Sequence, residues 1–126
     1  MIQEDYFIKL IKDCIKFFTK LVFNNSIEEI EEQVSQSEMD DLNIYLNLYD
    51  DGKVDEAKEL MRNSSKSNQF DTAKVGILFF RKINEYSNQE LLDKNYSRNM
   101  LKKDISDFMN SYGYGDIVNI YFGNLK

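Results

Sequence analysis

The sequence predicts an all-α protein, a compact array of about six antiparallel helices in one domain over residues 1–126. Three observations support this prediction: apolar residues recur at helical spacing, serines stand where helices should begin, and asparagine or glycine stands where they should end. Hydrophobic residues make up 42% of the chain and charged residues 30%. This is ordinary globular usage, and the chain is long enough to bury a real core.

The segment 4–23 gives the clearest helical pattern. Its apolar stripe repeats every three or four residues and consists of Phe7, Ile11, Cys14, Phe18 and Leu21. A second stripe occupies about 80° of the opposite side and consists of Lys9, Lys12, Lys16 and Lys20. We therefore expect a helix that is buried on one side, with a lysine face in solvent. Asn24 predicts its end, because asparagine tolerates the left-handed conformation that follows many helices.

Two acidic helices are expected next. Ser26 and Glu29 have the spacing of a capping box at the start of a short helix. A third helix is predicted to begin near Ser37 and to end at Gly52, with apolar positions at Met39, Leu42, Leu46 and Tyr49. A fourth helix should follow over 54–62, with Ala57, Leu60 and Met61 facing inward.

The main break in the chain is predicted at residues 63–68, a polar stretch with the composition of a linker and a candidate sub-boundary of the domain. A fifth helix should run from Phe70 to Ile83. Gly76 lies within it, although glycine costs about 1 kcal/mol in a helix interior. We therefore expect a close contact with another helix at Gly76.

The C-terminal part is predicted to hold one further long helix. Ser87 and Glu90 repeat the capping-box spacing, and Ser97 should begin the long helix, which Gly113 ends. Residues 116–122 fit either a helix or a strand. We favour a helix, because Asp116 is suited to cap one.

Two resemblances follow from short motifs. The run from Leu48 to Ala57 and a faint 34-residue period resemble a tetratricopeptide helical hairpin. In addition, the segments 4–11, 20–23, 52–60 and 95–98 are similar to those of an uncharacterised family of short helical proteins from Gram-positive bacteria. That resemblance spans about residues 3–113. It implies a helical fold and no particular activity.

The composition excludes many catalytic devices. Histidine is absent, which removes the commonest general base and metal ligand. Cys14 lies on the apolar stripe and is expected to be a buried structural thiol. The acids around Gly52 lack EF-hand spacing, because Lys58 stands where that loop needs glutamate, and no glycine-rich phosphate loop occurs. We therefore expect no cofactor, no metal and no enzymatic activity.

The charge pattern bears on partners and location. The net charge is -6, and residues 24–63 are strongly acidic, which disfavours nucleic acid as a partner. No apolar run is long enough to span a bilayer, and the N-terminus lacks the pattern of a secretory signal. A cytoplasmic location is expected.

A protein-interaction or scaffold module with an unknown protein partner is the function that these patterns favour. The groove formed by helices three to five is the expected binding site, with Tyr45, Tyr49, Phe79 and Tyr86 as candidate anchors. The alternatives are peripheral membrane association through the lysine stripe, with insertion of Phe7, Phe17 and Phe18, and an enzyme that uses carboxylate or lysine chemistry. Homo-oligomers through exposed aromatic residues are compatible with the first interpretation.

Overall fold

The computed structural model describes residues 2–64 and 69–123. This part of the chain is all-helical and contains eight helices, among them the short ones that follow Ser26, Ser87 and Tyr114. The helices are α1 (Ile2–Phe23), α2 (Ile27–Gln33), α3 (Gln36–Asp50), α4 (Val54–Ser64), α5 (Gln69–Asn84), α6 (Asn88–Asp93), α7 (Arg98–Ser111) and α8 (Gly115–Phe122).

Helix α5 is the centre of the array. It packs against α1, α2, α3, α4 and α7, while α8 covers the side formed by α1 and α7. Residues 75–80 are buried without interruption, as expected for a helix surrounded by others. The core draws on residues from both sides of the predicted linker, of which residues 65–68 lie outside the described part of the chain.

Most of the helices for which the sequence predicts a serine N-cap have one. Ser26 and Ser87 form complete capping boxes, and the Ser97 hydroxyl accepts a hydrogen bond from the Met100 N–H. Helix α3 begins at Gln36, one residue before the predicted start near Ser37. Ser35 is the N-cap, because Glu38 stands three residues after it and closes the box.

Residues with positive φ stand just after the ends of α1, α3 and α7. Asn24 has a φ of 56°, Gly52 of 78° and Gly113 of 87°, as the sequence predicted. At Gly52 the chain reverses between α3 and α4, which pack side by side as a hairpin. The tetratricopeptide-like character of this hairpin stays a prediction.

The close contact predicted at Gly76 is present. A Cβ atom at this position would lie 2.4 Å from Cε1 of Phe108 on α7, so only glycine lets the ring reach the α5 backbone. The C-terminal segment is a helix, and the strand alternative for it is wrong. Leu21 and Leu60, which were expected to face inward, are 52% and 43% exposed, because neighbouring helices cover only part of α1 and α4.

Candidate functional site

A groove runs between α3 and α5 and is bordered by α2; we call it the α3–α5 groove. Its volume is about 340 Å³. Apolar side chains form its floor and charged ones its rim: Met39, Leu42, Leu46 and Leu78 below, with Glu31, Arg81, Lys82 and Glu85 around them. An apolar concavity with a polar rim is the usual anatomy of a protein interface.

The floor of the groove arises from the helical repeat of α3. Met39, Leu42 and Leu46 follow the i, i+3, i+7 spacing, so they share one edge of the helix. Leu42 reaches the core, whereas Met39 is 38% exposed. The apolar edge of α3 is thus wider than the surface of α5 that covers it.

The rim of the groove is held by ion pairs. Arg81 on α5 pairs with Glu31 on α2, and Lys82 lies 4.0 Å from Glu85. These side chains are partly exposed, so each pair adds little to stability. Their effect is to place both signs of charge beside an apolar floor.

The four predicted anchors lie behind this surface. Tyr45 packs edge-on against Phe79, with ring centroids 6.2 Å apart, and Tyr49 stacks on Tyr86 at 5.7 Å. The structure therefore brings them together as two pairs. Tyr45, Tyr49 and Phe79 are buried, and Tyr86 is half-buried. In this conformation only Tyr86 reaches the surface, so direct contact of the other three with a partner stays a prediction.

Tyr49 has an unusual environment. Its hydroxyl is buried and has no hydrogen-bond partner in the described part of the chain. Burial, reinforced by the nearby Tyr86, raises the pKa of Tyr49 to about 12. The phenol therefore stays protonated, and its hydroxyl is not a proton donor or acceptor for chemistry at neutral pH.

A second concavity, of about 160 Å³, lies between α4, α5 and α7. On its wall the Lys58 Nζ donates to Asp104 Oδ1 at 2.9 Å, and the Tyr96 hydroxyl donates to Asp104 Oδ2 at 2.5 Å. Asp104 is 8% exposed. Sequence reasoning missed this network, because its members are separated by up to 46 residues and no local spacing relates them.

The pKa values of Tyr96 and Lys58 are both raised in this network. Burial and the hydrogen bond to Asp104 raise the pKa of Tyr96 far above its usual value. For Lys58, burial lowers the pKa, but the hydrogen bond and attraction to Asp104 outweigh it and leave the pKa raised. Both shifts move away from neutral pH, where a general acid or base works best.

Arg98, the first residue of α7, joins three helices. Its guanidinium donates to the backbone oxygen and Oδ1 of Asn84, to the Tyr86 backbone oxygen and to Asn88 Oδ1, at 2.5 to 3.2 Å. Asn84 in turn donates to the Ile8 backbone oxygen at 3.0 Å. The 95–98 motif was noted in the sequence only as a family mark, and its arginine ties α7 to α5, α6 and indirectly to α1.

Cys14 and the lysine stripe both belong to α1. Cys14 is buried, as predicted, and burial raises the pKa of its thiol to about 12. Lys9, Lys12, Lys16 and Lys20 are exposed. Of the aromatic residues considered for membrane insertion, Phe18 is buried, Phe7 is half-buried and Phe17 is exposed.

Two further properties concern residues 2–64 and 69–123 as a whole. No three His, Cys, Asp or Glu side chains lie close enough together there to hold a metal ion. Within the same residues no helix combines the length and apolarity needed to cross a bilayer.

Comparison with known proteins places the chain in a family. No curated protein and no solved structure matches it. The model of one family, described as a family of unknown function (DUF6483), matches residues 1–113. This match covers α1 to α7 and includes the Lys58, Tyr96, Arg98 and Asp104 networks. The chain therefore belongs to DUF6483, a family of unknown function.

Proposed function

We propose that this chain is a non-enzymatic protein-interaction module, and that it binds its partner in the α3–α5 groove. The observation that carries the proposal is the partly exposed apolar floor of Met39, Leu42 and Leu46, framed by charged side chains. Burial of such a floor by a partner is favourable by roughly 25 cal/mol per Å² of apolar surface.

The shape and the chemistry of the groove favour a helical segment of the partner. Two adjacent helices with an apolar seam between them accept the apolar face of an amphipathic helix. The rim supplies both Arg81 and Glu85, so polar flanks of either sign can be paired. The surrounding α2 and α3 contain eight acidic and no basic residues. This excess of negative charge favours a partner that is basic overall.

The alternative of an enzyme has weaker support. In the network of Lys58 with Asp104 and Tyr96, the pKa values of the lysine and the tyrosine both move away from neutral pH, which does not favour proton exchange there. The pocket beside it also lacks an activated nucleophile, since Cys14 lies elsewhere and is buried.

The proposal is tested by comparative affinity capture from a lysate. Three baits are used: wild type, Met39→Glu in the groove, and Ile44→Glu as the matched control. Ile44 is 49% exposed on the same helix, about 140° around the axis from Met39. We expect a set of captured proteins that is shared by wild type and Ile44→Glu and is lost with Met39→Glu.

Two results would contradict the proposal. One is an identical set of captured proteins for all three baits. The other is no capture above background at low salt as well as at physiological salt. Circular dichroism of each bait shows that the comparison is made between folded proteins.

A further inference from the structure

The outer face of α1 carries lysines that the molecule itself does not neutralise. Lys12, Lys16 and Lys20 are exposed, and none lies within 4.0 Å of a carboxylate in the part of the chain that is described. Lys9 differs, because it pairs with Asp13 at 3.4 Å. Lys12 and Lys16 are one turn apart and so point in nearly the same direction.

The outer face of α2 carries the opposite charge. Glu28 and Glu32 are also one turn apart and exposed, and among the described residues neither has an ion-pair partner. The other two glutamates of α2 are engaged. Glu29 accepts a hydrogen bond from the Ser26 N–H, and Glu31 pairs with Arg81.

The two charged faces belong to consecutive helices that contact each other. Helices α1 and α2 pack against each other and are separated by residues 24–26 alone. The pKa of Glu29 is lowered by its hydrogen bonds from Ser26 and, to a lesser extent, by the positive charge of Lys20. The lysines of α1 and the glutamates of α2 thus lie on two consecutive, contacting helices, which we call the α1–α2 edge.

We propose that this edge is a self-complementary interface, in which Lys12 and Lys16 of one copy of the chain face Glu28 and Glu32 of a second copy. A two-fold axis between the basic and the acidic face brings each face of one copy onto the opposite face of the other, so both contacts form twice. The 22 residues of α1 are about 33 Å long. Lys12 and Lys16 span about 6 Å of this length, so the contact occupies a short stretch of α1. It does not involve the α3–α5 groove.

A second copy fits this edge better than an anionic membrane does. A bilayer surface presents one sign of charge, so it attracts the lysines but repels Glu28 and Glu32. The α1 face also carries Asp5 and Asp13, which an anionic surface repels as well. A second copy supplies both signs in the required order.

The test is sedimentation velocity of the full chain over a range of about 10 to 500 µM. It is run at about 20 mM and about 500 mM NaCl, because exposed ion pairs are strongly screened at the higher salt. We expect a reversible dimer at low salt, whose dissociation constant rises at least tenfold at high salt. Wild type that is monomeric at every concentration in low salt would overturn the proposal.

Charge reversal identifies the faces. The variant Lys12→Glu/Lys16→Glu makes both faces acidic, and Glu28→Lys/Glu32→Lys makes both basic, so each is expected to be monomeric alone. Mixed in equal amounts, the two variants should associate with each other, because one now supplies only acidic faces and the other only basic faces. A dimer formed by either variant alone, or no association in the mixture, would contradict the assigned faces.

A control separates the faces from net charge. Lys53→Glu/Lys103→Glu changes the net charge by the same amount as Lys12→Glu/Lys16→Glu, but at exposed positions on other parts of the molecule. It should dimerise like wild type. If it is instead monomeric, overall repulsion governs association and the proposal fails. Pelleting with phosphatidylserine vesicles by a monomeric wild type would assign the lysine face to a membrane instead.

Discussion

Two regions of the helical array differ in how they accommodate polar groups. Around α7, charged side chains are withdrawn from solvent and engaged by specific partners, as Asp104 is by Lys58 and Tyr96. The charged side chains that line the α3–α5 groove remain at the surface, and its apolar floor is left partly uncovered.

This difference separates architecture from binding. Removing one member of a buried, paired network leaves its partners desolvated and unpaired, so the α7 region is costly to alter. A solvent-facing groove has no such penalty, and its side chains can exchange water for a partner. Four substitutions test this contrast, and they are ordered from the largest expected change in stability to the smallest.

The Asp104→Ala substitution should have the largest effect. It leaves the Lys58 ammonium and the Tyr96 hydroxyl without their shared acceptor, and we expect a loss of about 3 kcal/mol in the free energy of unfolding. Urea denaturation measures this loss. Asp107→Ala is the matched control on the same helix, because its side chain is exposed and its removal should cost under about 0.5 kcal/mol. Equal losses of unfolding free energy for the two variants would show that the Asp104 network does not stabilise the α7 region.

The Gly76→Ala substitution should have the next largest effect. The added methyl group collides with the Phe108 ring, and overpacking of this kind costs about 1 to 3 kcal/mol, offset by the better helix propensity of alanine. We expect a net loss of roughly 1 to 2 kcal/mol. In a Phe108→Leu background the same change should cost clearly less. An undiminished cost in that background would place the collision elsewhere.

Glu38 makes stability depend on pH. Burial opposes its ionisation, but the hydrogen bond from the Ser35 N–H and the ion pair with Lys74 outweigh burial and lower the pKa of Glu38 below 4.5. The folded state therefore binds this proton less readily than the unfolded state does. The stabilisation is present above the unfolded pKa and is lost as the pH falls through the folded pKa.

The Glu38→Gln substitution should accordingly flatten the acid limb of the stability profile. We expect the variant to be less stable than wild type by roughly 1 kcal/mol near neutral pH and equal to it at low pH. Urea titrations between about pH 3 and pH 7 measure this convergence. Lys74→Met should reduce the same pH dependence in part. A constant difference between wild type and Glu38→Gln at every pH would contradict the linkage.

The Met39→Glu substitution should change stability least. Met39 is partly in solvent, so we expect a shift within about 0.5 kcal/mol of wild type, equal to that of Ile44→Glu on the other side of α3. Thermal unfolding of both variants gives the comparison. A loss above about 2 kcal/mol for Met39→Glu alone would mean that Met39 belongs to the core and that the groove has no open floor.

Much of the fold was predictable because its signals are local. The caps at Ser26, Ser87 and Ser97 and the ends at Gly52 and Gly113 depend on residues within one turn of each other. Even the offset at the start of α3 was local, since Ser35 has the same spacing to Glu38 that identified the other boxes.

The candidate site was less predictable, because it depends on which apolar surfaces stay uncovered. The spacing of Met39, Leu42 and Leu46 predicts one apolar edge of α3, but periodicity alone does not say how much of that edge another helix covers. Three of the predicted anchors, Tyr45, Tyr49 and Phe79, are buried behind this edge. Periodicity does not show this either. Pairings such as Lys58 with Asp104 join distant parts of the chain and leave no trace in local sequence.

The burial of Cys14 has a practical consequence for labelling chemistry. Its thiol lies against the Met109 sulfur, 3.8 Å away in the core, and a buried thiol with a pKa of about 12 presents almost no thiolate to a maleimide. A cysteine introduced at position 39 or 44 can therefore carry a fluorophore alone, without removal of the native one. Conversely, any modification of Cys14 in the wild-type protein reports that the helices around it have opened.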